Sequence, residues 1–158
     1  MSEIFRLPSE FSPDVAKNFI KVAEGLKLEA YRCSAGVWTC GYGHARGVKR
    51  GDRITEEEAD RLLEKDLKEC HRALHKWVRQ CTEGQYIAMM SFVFNFGETR
   101  FANSTLLTLH NQEKYKEAAE EFGRWVYATD PKTGKKVVSN GLVTRRREEK
   151  KQYLRGLV

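Results

Sequence analysis

The sequence predicts an α+β fold in which a small β-bearing lobe and a larger helical lobe are joined by a long helix, with a cleft between the lobes. Three stretches support this fold. Glycines at positions 36, 41 and 43 punctuate short strand-like segments, as tight turns require. A capping box begins a long amphipathic helix at Thr55. A strongly apolar helix over residues 85–96 is typical of a core element.

Length and composition predict a single domain over residues 1–158, with a small lobe over about 25–60 and a helical lobe over about 61–158. A chain of this size buries roughly 70% of its unfolded surface, which is enough for a core without metal or disulfides. No apolar run approaches the ~18 residues of a membrane helix. The N-terminus lacks the apolar region of a signal peptide, so we expect synthesis in the cytoplasm without an export signal.

Capping residues and apolar spacing define the other elements. Residues 1–13 resemble a loose lead-in, and Ser12 with Pro13 begins a helix that packs on the helical lobe. Gly25 ends this helix, so Glu24 lies in its last turn. The remaining predicted elements are strands at 28–32 and 37–42, helices at 104–110, 114–122 and 142–155, and a turn-rich basic loop at 130–134.

The net charge of +6 favours binding to polyanionic surfaces, including nucleic acid, acidic lipid and carboxylate-bearing cell wall. No recognition motif accompanies the charge, so we expect no specific nucleic-acid binding. Glu148 and Glu149 interrupt the second basic run, which also fits a solvated helix face. The basic residues in question are Lys132, Lys135, Lys136, Arg145, Arg146, Arg147, Lys150 and Lys151.

The four cysteines, at positions 33, 40, 70 and 81, are expected to be thiols, because the chain carries no export signal. Cys70 and Cys81 lie near two histidines, at positions 71 and 75, which raises a zinc site as an alternative. Their spacing matches no standard pair of ligand motifs, and both cysteines also fit as buried helix residues. We therefore expect no metal and no other cofactor.

Glu24 is the first candidate for chemistry. A carboxylate at a helix end can simply be solvated or paired in a salt bridge. A carboxyl desolvated in a cleft instead suits a general acid, because desolvation raises the pKa of such a group. Tyr31, Trp38 and Tyr42 surround the glycine turns, and such amphipathic rings suit a sugar face. Together these residues indicate a glycosidase cleft.

Four blocks of sequence carry a more specific signal. They are Glu24-Gly25 with Tyr31, Gly36, Trp38-Thr39 and Gly41-Tyr42-Gly43-His44; the run 91–99, Ser-Phe-Val-Phe-Asn-Phe-Gly-Glu-Thr; the run 103–107, Asn-Ser-Thr-Leu-Leu; and the run 141–146, Gly-Leu-Val-Thr-Arg-Arg. In content and order they resemble the phage lysozyme (endolysin) family, glycoside hydrolase family 24. The resemblance runs from about residue 19 to the end of the chain and implies a lysozyme-like fold.

Members of that family cleave the β-1,4 bond between N-acetylmuramic acid and N-acetylglucosamine in peptidoglycan, through a Glu-Asp-Thr triad. The resemblance implies that Glu24 is the general acid and that Thr39 holds the attacking water. The middle position, nine residues after Glu24, is Cys33 instead of Asp. The resemblance also implies a monomer that lyses the bacterial host from within, reaching the wall through a membrane lesion such as a holin makes.

Cys33 has two interpretations. A partly ionised thiol could act as a nucleophile or position the water, although a free thiol is mostly protonated at pH 7. Alternatively, Cys33 is a small bystander beside Glu24 and Thr39. A two-residue turn at Gly36-Val37 would place Cys33 opposite Cys40 and allow a disulfide. The catalytic interpretation needs a wider turn, which we favour, with Cys33 as a free thiol.

The resemblance implies further roles. His44 is structural and pairs with an acid on the long helix, most simply Asp66, while an arginine among 145–147, with Arg145 and Arg146 as candidates, pairs with Glu24. Trp125 and Tyr127 are expected in the core more than as a sugar platform because their neighbours are apolar, and Phe94 fits either the core or a glycan contact. The glycan-contacting positions implied by the family are Tyr31, Phe94, Asn95, Asn103 and Ser104.

Two other functions stay open at this point. A lytic transglycosylase works through one glutamate without water, and retention of Thr39 argues against it. A catalytically decayed module that binds the wall or nucleic acid would show steep salt dependence and would not clear a bacterial suspension.

Overall fold

The structure, a computed structural model, describes residues 4–33 and 36–157. Two short antiparallel sheets accompany a mainly helical body. The helices are α1 (Lys17–Glu24), α2 (Glu56–Trp77), α3 (Glu83–Phe96), α4 (Glu98–Ala102), α5 (Thr105–Asn111), α6 (Tyr115–Glu121) and α7 (Asn140–Leu154). The strands are β1 (Lys27–Arg32), β2 (Trp38–Gly41), β3 (Tyr127–Thr129) and β4 (Lys136–Val138).

Helix α1 begins and ends as its capping residues predict. The Ser12 hydroxyl accepts a hydrogen bond from the Asp14 amide at 3.3 Å, and a 3-10 turn over Pro13–Ala16 leads into the helix. Gly25 ends the helix with a φ of +71°, a left-handed conformation that favours glycine. Glu24 is therefore the last helical residue, as expected.

The β1–β2 hairpin adopts the wider turn. Thr39 pairs with Tyr31, and the Cys33 amide donates to the Val37 carbonyl at 2.9 Å. Cys33 and Thr39 consequently share a face, because residues two apart along a strand point the same way. The alternative pairing of Cys33 with Cys40 is wrong, and all four cysteines are free thiols.

Helices α2 and α3 form the framework of the helical body. The capping box of α2 is complete, since the Glu58 amide donates to Thr55 Oγ1 at 3.1 Å and the Glu58 side chain reaches back to the Thr55 amide. Helix α3 is buried from Gly84 to Val93 and packs mainly against α7 and α2. Its sequence is apolar on every side because neighbours cover it on every side.

The N-terminal segment is not the loose lead-in expected from the sequence. The backbones of Arg6 and Cys81 form a bridge, with N–O distances of 2.9 and 2.8 Å. Pro8 is buried, and the ring of Phe11 stacks on Tyr86 with centroids 5.0 Å apart. Apolar contact with the helical body therefore orders residues 4–13, while residues 1–3 lie outside the described part of the chain.

The β3–β4 hairpin and helix α4 do not appear in the sequence prediction. The expected turn at 130–134 is present, with the Gly134 amide donating to the Asp130 carbonyl at 2.8 Å. Its flanking strands have three residues each, too few for periodicity to reveal. Within the described residues, every helix is too short or too polar to span a bilayer.

Candidate active site

A cleft of about 1290 Å³ contains most of the residues that the sequence proposed. Its lining combines α1 and the β1–β2 hairpin with residues of α3 to α6 and the β3–β4 hairpin. His44 and Asp66 line a smaller neighbouring cavity of about 360 Å³. Arg145 and Arg146 are buried, with 9% and 1% of their surface exposed. The proposed residues that line the larger cleft are Glu24, Tyr31, Cys33, Thr39, Phe94, Asn95, Asn103 and Ser104.

Arg145 holds the carboxyl group of Glu24. Its Nη1 forms an ion pair with Glu24 Oε2, although the two residues lie 121 positions apart in the chain. Both side chains are shielded, since 16% of the Glu24 side chain and 8% of the Arg145 side chain are exposed. Helix α7 thus fixes the direction of a carboxyl group that α1 carries into the cleft.

Arg145 is itself held by α3 and α7. Its Nε donates to Ser91 Oγ at 3.3 Å, its Nη2 donates to the Ser91 carbonyl at 3.2 Å, and its Nε lies 3.5 Å from Glu149 Oε2. Ser91 Oγ in turn donates to Glu149 Oε2 at 2.5 Å. Because several polar groups fix the guanidinium, Glu24 meets a preorganised cation.

Arg146 has a different role from the one considered for it. Its Nε lies 2.7 Å from Glu149 Oε1, and its guanidinium carbon lies 5.2 and 4.8 Å from the ring centroids of Phe92 and Phe96. Burial lowers the pKa of Arg146 to about 10, while burial raises the pKa of Glu149. This part of α7 is therefore a buried charge network, and the interpretation of the run as a solvated face is wrong here.

The loop after β2 meets Glu24 at Gly43. Gly43 has a φ of +71°, and a Cβ at this position would lie 2.8 Å from Glu24 Cδ. The adjacent His44 anchors the loop, because its Nδ1 lies 2.7 Å from Asp66 Oδ2 on α2 and its Nε2 lies 3.0 Å from the Arg46 carbonyl. His44 thus contacts Asp66, as expected, and fixes the loop whose glycine touches the carboxyl group.

Thr39 and Cys33 line the cleft from the β1–β2 hairpin. The Thr39 hydroxyl donates to the Val37 carbonyl at 2.9 Å, so its proton is engaged and its lone pairs remain available. Burial, followed by the charges of Glu24 and Cys33, raises the pKa of Tyr31. The Tyr31 phenol, the Glu24 carboxyl and the Cys33 thiol therefore share one electrostatic environment.

The proposed glycan-contacting side chains differ in how many of their hydrogen-bonding atoms already have partners within the protein. Among the described residues, no group donates a hydrogen bond to the buried Asn95 Oδ1. The Asn103 side-chain amide donates to the Thr99 carbonyl at 2.9 Å. The Ser104 hydroxyl caps α5, accepting from the Leu107 amide at 3.1 Å and donating to a backbone carbonyl at 2.7 Å. Asn95 therefore has a buried acceptor without a partner in the described part of the chain, whereas the Ser104 hydroxyl uses its proton and one of its two lone pairs within the protein.

Comparison with known proteins agrees with this geometry. Residues 21–149 match the phage lysozyme family. An endolysin of Acyrthosiphon pisum secondary endosymbiont phage 1 is 42% identical over 132 residues, which cover 83% of this chain and 89% of that protein. The chain belongs to the phage lysozyme family.

Solved structures show the same fold. The endolysin from Escherichia coli O157:H7 phage FAHEc1 superposes with a TM-score of 0.83 at 36% identity, covering 94% of this chain and 96% of that one. The muramidase domain of SpmX from Asticaccaulis excentricus superposes with a TM-score of 0.79 at 34% identity, covering 92% of this chain and 97% of that one. The predicted lysozyme-like α+β fold is confirmed, and the protein is a lysozyme, a glycoside hydrolase.

The sequence did not predict the wall of the lysozyme cleft that Trp125 and the β3–β4 hairpin form. Tyr127, expected in the core, is 52% exposed and lines the cleft, so that expectation is wrong. Trp125 packs on the rings of Phe92 and Phe96, with centroids 5.2 and 5.3 Å away, and also lines the cleft. β-Forming residues lie on both sides of the 130–134 turn, and this pattern is the sequence signal that could have predicted the hairpin.

The residues considered as zinc ligands make other contacts. The described part of the chain contains no group of three or more His, Cys, Asp or Glu side chains placed to hold an ion. His71, considered as a zinc ligand, has its Nδ1 2.7 Å from the Tyr86 hydroxyl. Cys70 and Cys81 are buried, and burial raises the pKa of each thiol to about 12.

Proposed function

We propose that this lysozyme hydrolyses the β-1,4 bond between N-acetylmuramic acid and N-acetylglucosamine in peptidoglycan, with Glu24 as the general acid. The observation that supports this most is the placement of a buried arginine against a cleft carboxyl group. Glu24 donates its proton to the leaving glycosidic oxygen, and the carboxylate that remains is stabilised by Arg145. Fixing the carboxyl direction in advance lowers the entropic part of the barrier.

Thr39 positions the water in this proposal. Its hydroxyl proton is committed to the Val37 carbonyl, so the hydroxyl can only accept a hydrogen bond from a water molecule. A water that donates to Thr39 keeps a lone pair for the anomeric carbon. Cleavage then consumes one water: its oxygen bonds to the anomeric carbon as the glycosidic bond breaks, and a new reducing end remains. The proton that the water loses returns through solvent to the Glu24 carboxylate and restores the acid. A transglycosylase would have no use for such an acceptor.

Cys33 occupies the family position of the missing aspartate and lies on the same face as Thr39. It has two roles to be separated by experiment: assistance to the water or the developing cation, or no part in the chemistry. Its half-buried place in the cleft lining is compatible with contact to the sugar. The thiol is not required by the Thr39 step.

The glycan lies along the cleft between Tyr31 on one side and Phe94 and Asn95 on the other. Asn95, which lines the cleft, contacts an amide or hydroxyl of the sugar through its side-chain amide group. Asn103 contributes the oxygen of its side-chain amide. Ser104 shapes the wall through its helix cap, and the remaining lone pair of its hydroxyl accepts a hydrogen bond from the sugar.

The test is the loss of turbidity of bacteria whose outer membrane has been permeabilised. Glu24→Gln removes the acid and is expected to abolish clearing. Glu29→Gln is the matched control, because Glu29 is exposed on β1 and pairs only with Arg53 at 3.4 Å. An inactive wild type that binds walls with steep salt dependence would instead favour the binding-module function.

The proposal also includes the setting of the reaction. We propose that the protein is made in the host cytoplasm, acts as a monomer and reaches the wall after a holin-type lesion. Light scattering tests the oligomeric state. Expression with and without a holin tests the route, since lysis is expected only with the holin.

A further inference from the structure

The β3–β4 hairpin presents one face to the cleft. Tyr127 and Thr129 lie two apart on β3, and Lys136 pairs with Thr129 across the hairpin, so all three side chains share a face. All three line the cleft that also contains Glu24. This face thus carries an aromatic ring and a cation side by side along the cleft wall.

Two cations on this side of the cleft lack a carboxylate partner. Arg124 is neutralised by Glu121, whose Oε2 lies 2.6 Å from its Nε. In the described part of the chain, by contrast, neither Lys136 nor Arg100 forms an ion pair. Arg100 instead lies over the Phe96 ring, 5.5 Å from its centroid. The described lining of the cleft therefore has a surplus of exposed positive charge, carried by Lys136 and Arg100.

We propose that this face of the β3–β4 hairpin, with Arg100, binds carboxylate groups carried by the glycan strand. The inference rests on the proposed hydrolysis of peptidoglycan and extends it to a substituent of the substrate. Muramic acid bears a lactyl ether, which ends in a free carboxylate in bare glycan and in a peptide with its own carboxylates in the intact wall. Lys136 and Arg100 supply the complementary charge, since an opposite charge at contact distance is favourable even in water.

Tyr127 gives the site a second component. Residues diagonal across a hairpin lie roughly 7–8 Å apart, so Tyr127 and Lys136 can contact neighbouring parts of one ligand. An exposed ring beside a cation suits a sugar that carries an acid. Substitution of Tyr127 should weaken binding to every glycan, whereas substitution of Lys136 should weaken binding only to glycan that carries carboxylates.

Binding to purified, insoluble peptidoglycan tests the site without cleavage. The protein carries Glu24→Gln, which prevents cleavage. Co-sedimentation measures the apparent affinity of this variant for peptidoglycan, and of the double variants that add Lys136→Gln or Lys132→Gln. Lys132 is the matched control, because it is an exposed lysine of the same hairpin that does not line the cleft. The substrates are native peptidoglycan, native peptidoglycan whose carboxyls have been converted to methylamides, and peptide-stripped glycan attached to beads, because glycan without its peptide cross-links is soluble.

We expect Lys136→Gln to weaken binding to native peptidoglycan roughly two- to fivefold more than Lys132→Gln does, as for one exposed ion pair. Arg100→Gln should act in the same direction. The difference should vanish on the methylamide substrate. If the difference between the two variants persists on peptide-stripped glycan, the lactyl carboxylate is the ligand. If the difference is seen only with native peptidoglycan, the carboxylates of the peptide are the ligand.

Equal effects of Lys136→Gln and Lys132→Gln would overturn the inference, as would a Lys136 effect that survives conversion to methylamides. In the active protein, Lys136→Gln should raise KM and leave kcat near its wild-type value. Absence of reducing-end release by the wild type would refute the proposed hydrolysis. The sedimentation result would then still decide whether the hairpin binds carboxylates.

Discussion

Gly43 and Glu24 are in direct contact: a Cβ at position 43 would lie 2.8 Å from the Glu24 carboxyl carbon and would overlap Oε1. The loop that carries Gly43 is tied to α2 by the 2.7 Å contact between His44 and Asp66. Glu24 is therefore confined between a glycine on one side and Arg145 on the other. A carboxyl group held this way has little freedom to leave the reactive direction.

Gly43→Ala should inactivate the enzyme without unfolding it. The left-handed φ of +71° costs an alanine about 1–2 kcal/mol, and the new methyl group displaces the Glu24 carboxyl from Arg145. Displacement of about 1 Å lowers activity on the order of 100-fold. The measurement is the rate of turbidity loss together with the free energy of unfolding.

Gly47→Ala is the control for backbone strain. Gly47 has a φ of +75°, but a Cβ there would meet no atom within 4 Å. It should lose a similar amount of stability and keep most of its activity. Equal loss of activity in the two variants would show that backbone strain, and not contact with Glu24, explains the effect.

Glu149→Gln should strongly destabilise the protein. The carboxylate is fully buried, and its removal leaves the guanidinium of Arg146 buried without its ion pair. Breaking a buried pair in this way costs about 3 kcal/mol. Glu148→Gln changes the adjacent exposed residue and should cost less than about 0.5 kcal/mol. Urea unfolding measures both, and similar losses would contradict a structural role for the network.

The contribution of Cys33 is settled by two substitutions. Cys33→Ser keeps a hydroxyl in place of the thiol, and Cys33→Ala removes the polar atom. If both variants clear bacteria at near the wild-type rate, Thr39 alone positions the water. If both lose activity while their circular dichroism is unchanged, the thiol takes part in catalysis. The free thiol itself should react with an alkylating agent in the absence of reductant.

Stability should fall as the pH drops from 6.5 towards 4, partly because of His110. Its Nδ1 lies 2.7 Å from the Tyr153 hydroxyl and its Nε2 lies 3.1 Å from the Gln80 carbonyl. Burial lowers the pKa of His110 from 6.5 to about 4, so the unfolded chain binds a proton that the folded chain excludes in this range. The resulting loss of unfolding free energy is about 3 kcal/mol when complete at low pH.

Urea unfolding at pH 7 and pH 4.5 tests this prediction. His110→Gln should be less stable at pH 7 but should lose less stability on acidification than the wild type. Burial, followed by the charge of His75, also lowers the pKa of His71, so a part of the wild-type pH dependence should persist in His110→Gln.

The local features of the fold were predictable because single residues determine them. Ser12, Thr55 and Gly25 mark helix ends through caps and backbone conformation, and the structure has helix ends at all three. The wider hairpin followed from the requirement that Cys33 and Thr39 share a face. Resemblance to a known family then indicated which positions line the cleft.

Tertiary contacts were not predictable in the same way. No local feature of the sequence indicates that Gly43 contacts Glu24, because α1 and the loop after β2 meet only in the folded chain. Glu149 looked like a surface acid in a charged helix, and buried acids are rare enough that composition argues against them. The strands of the β3–β4 hairpin were too short for a periodic signal. The division into two lobes of a single domain remains a prediction, which one cooperative unfolding transition would support.

The most direct test of the account is the identity of the sugar at the new chain end. Purified peptidoglycan is digested with the wild type and with Glu24→Gln, and the released fragments are identified by mass spectrometry. The account predicts N-acetylmuramic acid at the reducing end of wild-type products and no release by Glu24→Gln. Anhydro-muramic ends would show that no water is used, and undiminished release by Glu24→Gln would show that this carboxyl group is not the acid.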